Sequence, residues 1–128
     1  MKKLYLAGPI FGTGDPYTWR RDMASRLPTG WKGINPLDIE RHVEGGDPYR
    51  IVRADVEAIG ECQALLALID VPSWGTAMEI RIAYTKGIPV IGWQAKTGGE
   101  AVGPWLQVHC SLLTASFADV DKYLQELE

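Results

Sequence analysis

The sequence predicts an α/β fold, a doubly wound five-stranded parallel sheet in a single domain. Five short apolar runs, at residues 3–7, 33–35, 64–69, 89–93 and 112–115, alternate with helical patterns along the whole chain. Capping signals punctuate the helical patterns, and no repeat or linker interrupts the order. At 128 residues, 46% hydrophobic and 23% charged, the chain can bury one core but not two. One domain over 1–128 with one site is therefore expected.

The first run, Lys3-Leu4-Tyr5-Leu6-Ala7, stops at Gly8-Pro9. Asp15-Pro16-Tyr17 then offers an N-cap acceptor and a proline at the first helical position, where the missing N–H costs nothing. That helix is expected to reach about Leu27. After the strand at 33–35, Asp47-Pro48-Tyr49 repeats the signal and opens a helix to about Glu61. In it Ile51, Val52, Val56 and Ile59 recur at helical spacing, leaving Arg53, Glu57 and Glu61 to water. A third helix starts near Gly75 and stops at Gly87, a residue suited to the left-handed position after a helix. The last helix follows Ser116, with Val120, Leu124 and Leu127 on one face.

Right-handed crossovers in such a chain give a sheet covered on both faces, with ligands bound at the carboxyl ends of its strands. The loops at 7–12, 35–47, 70–75 and 93–105 should therefore surround one pocket.

Several function classes drop out. A net charge of -3 with 13 scattered Lys and Arg argues against long nucleic acid and against a membrane-binding face. The apolar stretch after Met1-Lys2-Lys3 is too short for a secretion signal or a membrane span, so a soluble, cytoplasmic protein is expected. Cys62 and Cys110 lack CxxC spacing and read as reduced, structural thiols. His42 and His109 are isolated from other ligand types, so no metal site is expected, and no organic cofactor is called for. Gly12-Thr13-Gly14 lacks the Walker and GxGxxG patterns and reads as a turn. No GxSxG elbow is present for a serine hydrolase.

The stretch from Ile69 to Glu79 carries the most chemistry. Asp70 ends a strand, and Glu79 falls in what reads as the first turn of the next helix, where oriented N–H groups favour an ionised carboxylate suited to nucleophilic attack. Thr76-x-x-Glu79 equally fits a capping box, in which Glu79 only reaches back to a backbone N–H. Asp70 by itself is compatible with a solvated loop residue, Asp55 with a solvated helix residue and Tyr5 with a core aromatic. Trp74, Trp93 and Trp105 fall near the expected pocket, where flat rings can sandwich a base or cover the sheet or a subunit interface.

Leu4-Tyr5-Leu6-Ala7-Gly8-Pro9-Ile10, Asn35-Pro36, Asp55, Asp70 and Gly75-Thr76-Ala77-Met78-Glu79-Ile80 together resemble the nucleoside 2-deoxyribosyltransferase family over about residues 3 to 93. The resemblance implies a flavodoxin-like sheet and a double displacement on a 2'-deoxynucleoside. A glutamate attacks the anomeric carbon, expels the base and holds a covalent deoxyribosyl ester, which an acceptor base then releases. By position, Glu79 is implied as the nucleophile and Tyr5 as the residue that orients it. Asp70 is implied as the group that contacts the base or handles its proton, and Asp55 as a sugar- or base-side partner. Gly8, Pro9, Ile10, Ser73, Gly75 and Thr76 are the implied substrate-binding residues, the two glycines letting backbone approach the ligand. Departure of the base creates oxocarbenium character that a nearby carboxylate stabilises.

A second branch of the superfamily, the deoxynucleoside 5'-monophosphate N-glycosidases, passes the sugar to water. Pro72-Ser73-x-Gly75 resembles that branch, where the serine helps hold the 5'-phosphate, whereas Phe11 stands about where those hydrolases tend to have an arginine. Transfer to a free nucleobase is the preferred expectation and hydrolysis the alternative. A nonenzymatic nucleotide-binding or sensor module is the rival of another class. The joint presence of Tyr5, Asp70 and Glu79 opposes it, since binding needs no nucleophile. Beyond residue 93 no family motif aligns, including Lys96-Thr97-Gly98-Gly99-Glu100 and Pro104-Trp105-Leu106. Since the C-terminal part of such transferases often completes a neighbour's site, a homo-oligomer is expected.

Overall fold

The computed structural model describes residues 1–10, 14–39, 46–96 and 101–128. It contains β1 (Lys2–Ala7), α1 (Thr18–Ser25), β2 (Trp31–Ile34), α2 (Pro36–Ile39), α3 (Pro48–Gly60), β3 (Ala64–Leu68), α4 (Trp74–Thr85), β4 (Val90–Trp93), α5 (Pro104–His109), β5 (Leu112–Thr114) and α6 (Phe117–Glu126). The five strands form one parallel sheet in the order β2-β1-β3-β4-β5. This is the flavodoxin-like doubly wound order, whose crossovers diverge from β1 and open a crevice at the carboxyl ends of β1 and β3.

The alternation of side chains along each strand divides the core into two layers. Leu4, Leu6, Leu66, Ile91 and Trp93 pack with Met23 of α1 and Val120 and Leu124 of α6. Tyr5, Ala7, Leu65, Ala67 and Val90 pack on the other face with Ile59 of α3 and Ile80 and Ala83 of α4. The parity of β1 thus turns Tyr5 toward the helix that carries Glu79.

The capping signals act as read, with one shift. Asp47 accepts from Tyr49 N at 3.0 Å, with Pro48 opening α3. Asp15 accepts from Tyr17 N at 2.8 Å and also bonds Thr18, although the regular helix begins only at Thr18. Gly87 takes φ 74° after α4, the left-handed conformation that a side chain would disfavour. The expected strand at 33–35 begins earlier, at Trp31. Lys32 interrupts its apolar pattern, but the Trp31 indole N–H donates to Leu124 O at 3.1 Å and pins the strand start beneath α6. Helices α2 and α5 were not expected; Gly103-Pro104, with proline at the first helical position, was the available signal for α5. Val52, assigned to the buried face of its helix, is exposed, because that part of α3 borders an open cavity rather than the core.

Candidate active site

A cavity of about 610 Å³ lies at the carboxyl ends of β1 and β3. Gly8, Pro9 and Ile10 form the wall that follows β1. Ile51, Asp55 and Val56 come from α3, and the third side runs from Val71 through Ser73, Gly75 and Thr76 to Glu79. Every expected substrate-binding residue therefore borders this one cavity.

Tyr5 lies fully buried beneath it, and its hydroxyl donates to Oε2 of Glu79. Burial first, then the negative charges of Glu79 and Asp55 and the hydrogen bond to Glu79, push the phenol's pKa far above its ordinary value; the charge of Arg20 opposes this. Tyr5 is accordingly a permanent phenol, able to donate to Glu79 across the physiological range.

Glu79 sits in the second turn of α4 rather than the first, because the helix already begins at Trp74. The N-terminal dipole, which fades within one turn, therefore contributes less to its charge than the sequence suggested. The capping-box alternative also falls away. Ser73 is the N-cap, its Oγ accepting from Thr76 N at 3.4 Å, and Glu79 instead engages a strand on the far side of the crevice. Thr76 is only 5% exposed, and its Oγ1 has no hydrogen-bond partner among the described residues. A buried hydroxyl without a partner is costly, and this one borders the cavity.

The structure separates the two aspartates. Asp55, half-buried on α3, borders the cavity and lies close enough to Tyr5 to act on its ionisation. Asp70 is not among the described lining residues; its Oδ1 accepts from Lys96 N at 3.0 Å and ties the end of β3 to the segment after β4. Of the expected trio of Tyr5, Asp70 and Glu79, the structure brings together the first and last and supplies Asp55 beside them.

Trp93 is a core residue, whereas Trp74 and Trp105 are 86% and 77% exposed and border a second, apolar hollow of about 480 Å³ between α4 and α5. His109 is buried in a neighbouring hollow that Trp74 and Trp105 also border, its ring between Arg81 and the Trp105 carbonyl. No group of three His, Cys, Asp or Glu among the described residues could hold a metal ion, and no helix among them is long and apolar enough to cross a membrane. Cys62 and Cys110 are free, and burial pushes both thiols up to about 11. Phe11, Gly12, Thr13, His42 and residues 97–100 lie outside the described residues. One functional candidate escaped the sequence reading: Arg20, a buried guanidinium bonded to the Gly8 carbonyl, which carries no motif signal.

A family model described as nucleoside 2-deoxyribosyltransferase matches residues 4–107. A protein of Thermofilum pendens, named as a 2'-deoxynucleoside 5'-phosphate N-hydrolase, is 24% identical over 135 residues, covering 98% of this chain and 92% of that protein. Among solved structures, a conserved protein from Enterococcus faecalis superposes with TM-score 0.77 at 22% identity, covering 98% of both chains. A 2-deoxyribosyltransferase from Bacillus psychrosaccharolyticus superposes with TM-score 0.76 at 23% identity, covering 94% of this chain and 91% of that one. At these identities the superpositions speak for the fold.

Proposed function

The chain belongs to the nucleoside 2-deoxyribosyltransferase family, and from that premise we propose that it transfers the 2-deoxyribosyl group of a deoxynucleoside to a free nucleobase through an ester on Glu79. The observation that carries this reading is the hydrogen bond from the buried Tyr5 phenol to Glu79, with Asp55 bordering the same cavity. A carboxylate held by a phenol that does not ionise is oriented for attack rather than neutralised.

In the reaction, a carboxylate oxygen of Glu79 attacks the anomeric carbon as the bond to the base breaks. A proton relayed from water by Asp55 reaches the departing base, which leaves neutral while Asp55 remains a carboxylate. The incoming base attacks the same carbon, expels Glu79 as a carboxylate and gives up its N–H proton through Asp55 to the solvent. Thr76, with its hydroxyl buried at the cavity edge, is assigned a hydrogen bond to the sugar. Gly8, Pro9, Ile10 and Gly75 shape the walls. The proton role given to Asp70 by resemblance passes to Asp55 in this scheme.

The described lining residues include two carboxylates and no Lys, Arg or His side chain, which favours an uncharged deoxynucleoside over a 5'-monophosphate. The second reading, hydrolysis of a deoxynucleoside 5'-monophosphate, is favoured by Ser73, whose side chain borders the cavity at the start of α4 and can help hold a phosphate. The relative from Thermofilum pendens is named for that activity.

Deoxynucleosides and their 5'-monophosphates, each incubated with and without a free base and followed by chromatography, separate these readings. Base exchange that requires an acceptor supports transfer. Base release from monophosphates without one supports hydrolysis, and no reaction on any substrate overturns both and supports a nonenzymatic binding module.

Self-association is part of the proposal. Trp74, Met78, Trp105 and Val108 leave a large apolar surface exposed on α4 and α5, beside the cavity wall, of the kind that marks protein contacts. Light scattering that finds only monomer in active preparations defeats it. The free cysteines fit a reducing cytoplasm.

A further inference from the structure

Arg20, in the first turn of α1, is the largest fully buried side chain among the described residues, 1% exposed. A buried guanidinium needs acceptors for its fork of donors, and it finds backbone. Nε donates to Leu6 O at 3.1 Å, Nη2 to Gly8 O at 2.8 Å and Nη1 to Pro16 O at 2.7 Å. These carbonyls lie at both ends of the segment that leaves β1 for α1.

The reason they are available is in the strand pairing. Lys2 N donates to Gly30 O, so Lys2 and, by alternation, Leu4 and Leu6 turn their backbone groups toward β2. The register of β1 with β2 ends at Tyr5 and Ile34. Carried one step further, the ladder would ask Pro36 for an N–H to Leu6 O, and proline has none. Arg20 stands in for the missing strand.

The same side chain has an electrostatic role. Burial lowers the guanidinium's pKa, and the negative charges of Glu79 and Asp55 act against it. Its cation also lies 4.7 Å from the centre of the Trp19 ring, which packs against Gly8.

We propose that Arg20 is a positioning residue for the glycosidic-bond chemistry. Through the Leu6 and Gly8 carbonyls it fixes the Gly8–Ile10 wall of the cavity, and its positive charge offsets the carboxylates of Glu79 and Asp55. It touches neither sugar nor base. The inference rests on the reaction proposed for Glu79.

Two variants separate the two contributions. Arg20→Lys keeps the charge but cannot reproduce the planar fork. Its KM should rise by about 10-fold or more with kcat changed less, and the acid limb of its pH profile should stay in place, since misplacing a substrate-contacting wall is costly in this range. Arg20→Gln removes the charge. The acid limb of its kcat/KM profile should move to higher pH, because a carboxylate that loses a nearby cation binds its proton more tightly.

Both profiles are read on the deoxynucleoside and base that the wild type exchanges fastest, with thermal unfolding recorded alongside. A wild-type KM in Arg20→Lys, or an unmoved acid limb in folded Arg20→Gln, overturns the proposal. If Arg20→Gln does not fold, the KM of Arg20→Lys decides it. A wild-type protein that exchanges nothing defeats the underlying reaction, whereas an active wild type with indifferent Arg20 variants defeats this inference alone.

Discussion

The phenol of Tyr5 on β1 donates to Oε2 of Glu79 on α4, joining side chains 74 positions apart in the chain. The contact depends on the fold at two levels. Strand parity points Tyr5 at the α3–α4 face, and the parallel register of β1 with β3 brings the start of α4 over the end of β1.

Tyr5→Phe keeps the ring and its packing and removes only the donor. The fold should persist, while kcat falls by on the order of 100-fold because the carboxylate loses its fixed orientation. Steady-state kinetics with thermal unfolding in parallel test this, and a kcat near wild type removes Tyr5 from the account.

Asp55 and Asp70 make opposite predictions. Asp55→Asn should lower kcat by about 100-fold to 10,000-fold, the usual contribution of a positioned proton-transfer group. Asp70→Asn replaces a carboxylate that accepts Lys96 N and should change kcat by less than about 10-fold while leaving that contact largely intact. The reverse ranking returns the proton role to Asp70.

Gly8→Ala tests the wall after β1. A Cβ there would stand 2.6 Å from Cζ2 of Trp19 and 3.4 Å from Nη2 of Arg20. The rigid indole cannot yield without moving α1, so a stability loss of about 1 to 3 kcal/mol is expected, together with a raised KM. Urea unfolding and substrate titration read the two effects.

Alkaline stability follows from burial. The native state holds the protons of Cys62, Cys110 and Tyr5 to higher pH than the unfolded chain does. The unfolded chain therefore binds fewer protons above the ordinary pKa values, and stability falls as pH rises. The cysteine contribution is present in full below pH 9.0 and is lost between pH 9.0 and about 11; the Tyr5 contribution is lost from about pH 10 upward. Urea midpoints measured from pH 8 to pH 11 should decline, and Cys62→Ala with Cys110→Ala should flatten the first part of that decline.

The sheet was legible because buried parallel strands leave continuous apolar runs and the proline-opened helices declare their starts. Trp31 was missed because Lys32, on an edge strand, breaks the run. The setting of Glu79 is legible in the sequence, but two of its local cues mislead. Thr76 imitates a cap that Ser73 in fact provides, and the helix begins too early for its dipole to favour Glu79 strongly. The order of the chain drew attention to Asp70, at a strand end, while Asp55 looked like any helical carboxylate until α3 was seen to border the cavity. Arg20 left no trace in the sequence, since its role depends on where β2 ends and on a proline lacking an N–H.

The proposed reaction passes through a deoxyribosyl ester on Glu79. Mass spectrometry of the protein, quenched during turnover of a deoxynucleoside in the absence of acceptor base and then digested, tests it directly. A mass increment of one deoxyribosyl group is expected on the peptide containing Glu79, absent from Glu79→Gln, which should also be inactive. An adduct on another residue, or exchange near the wild-type rate in Glu79→Gln, would contradict it.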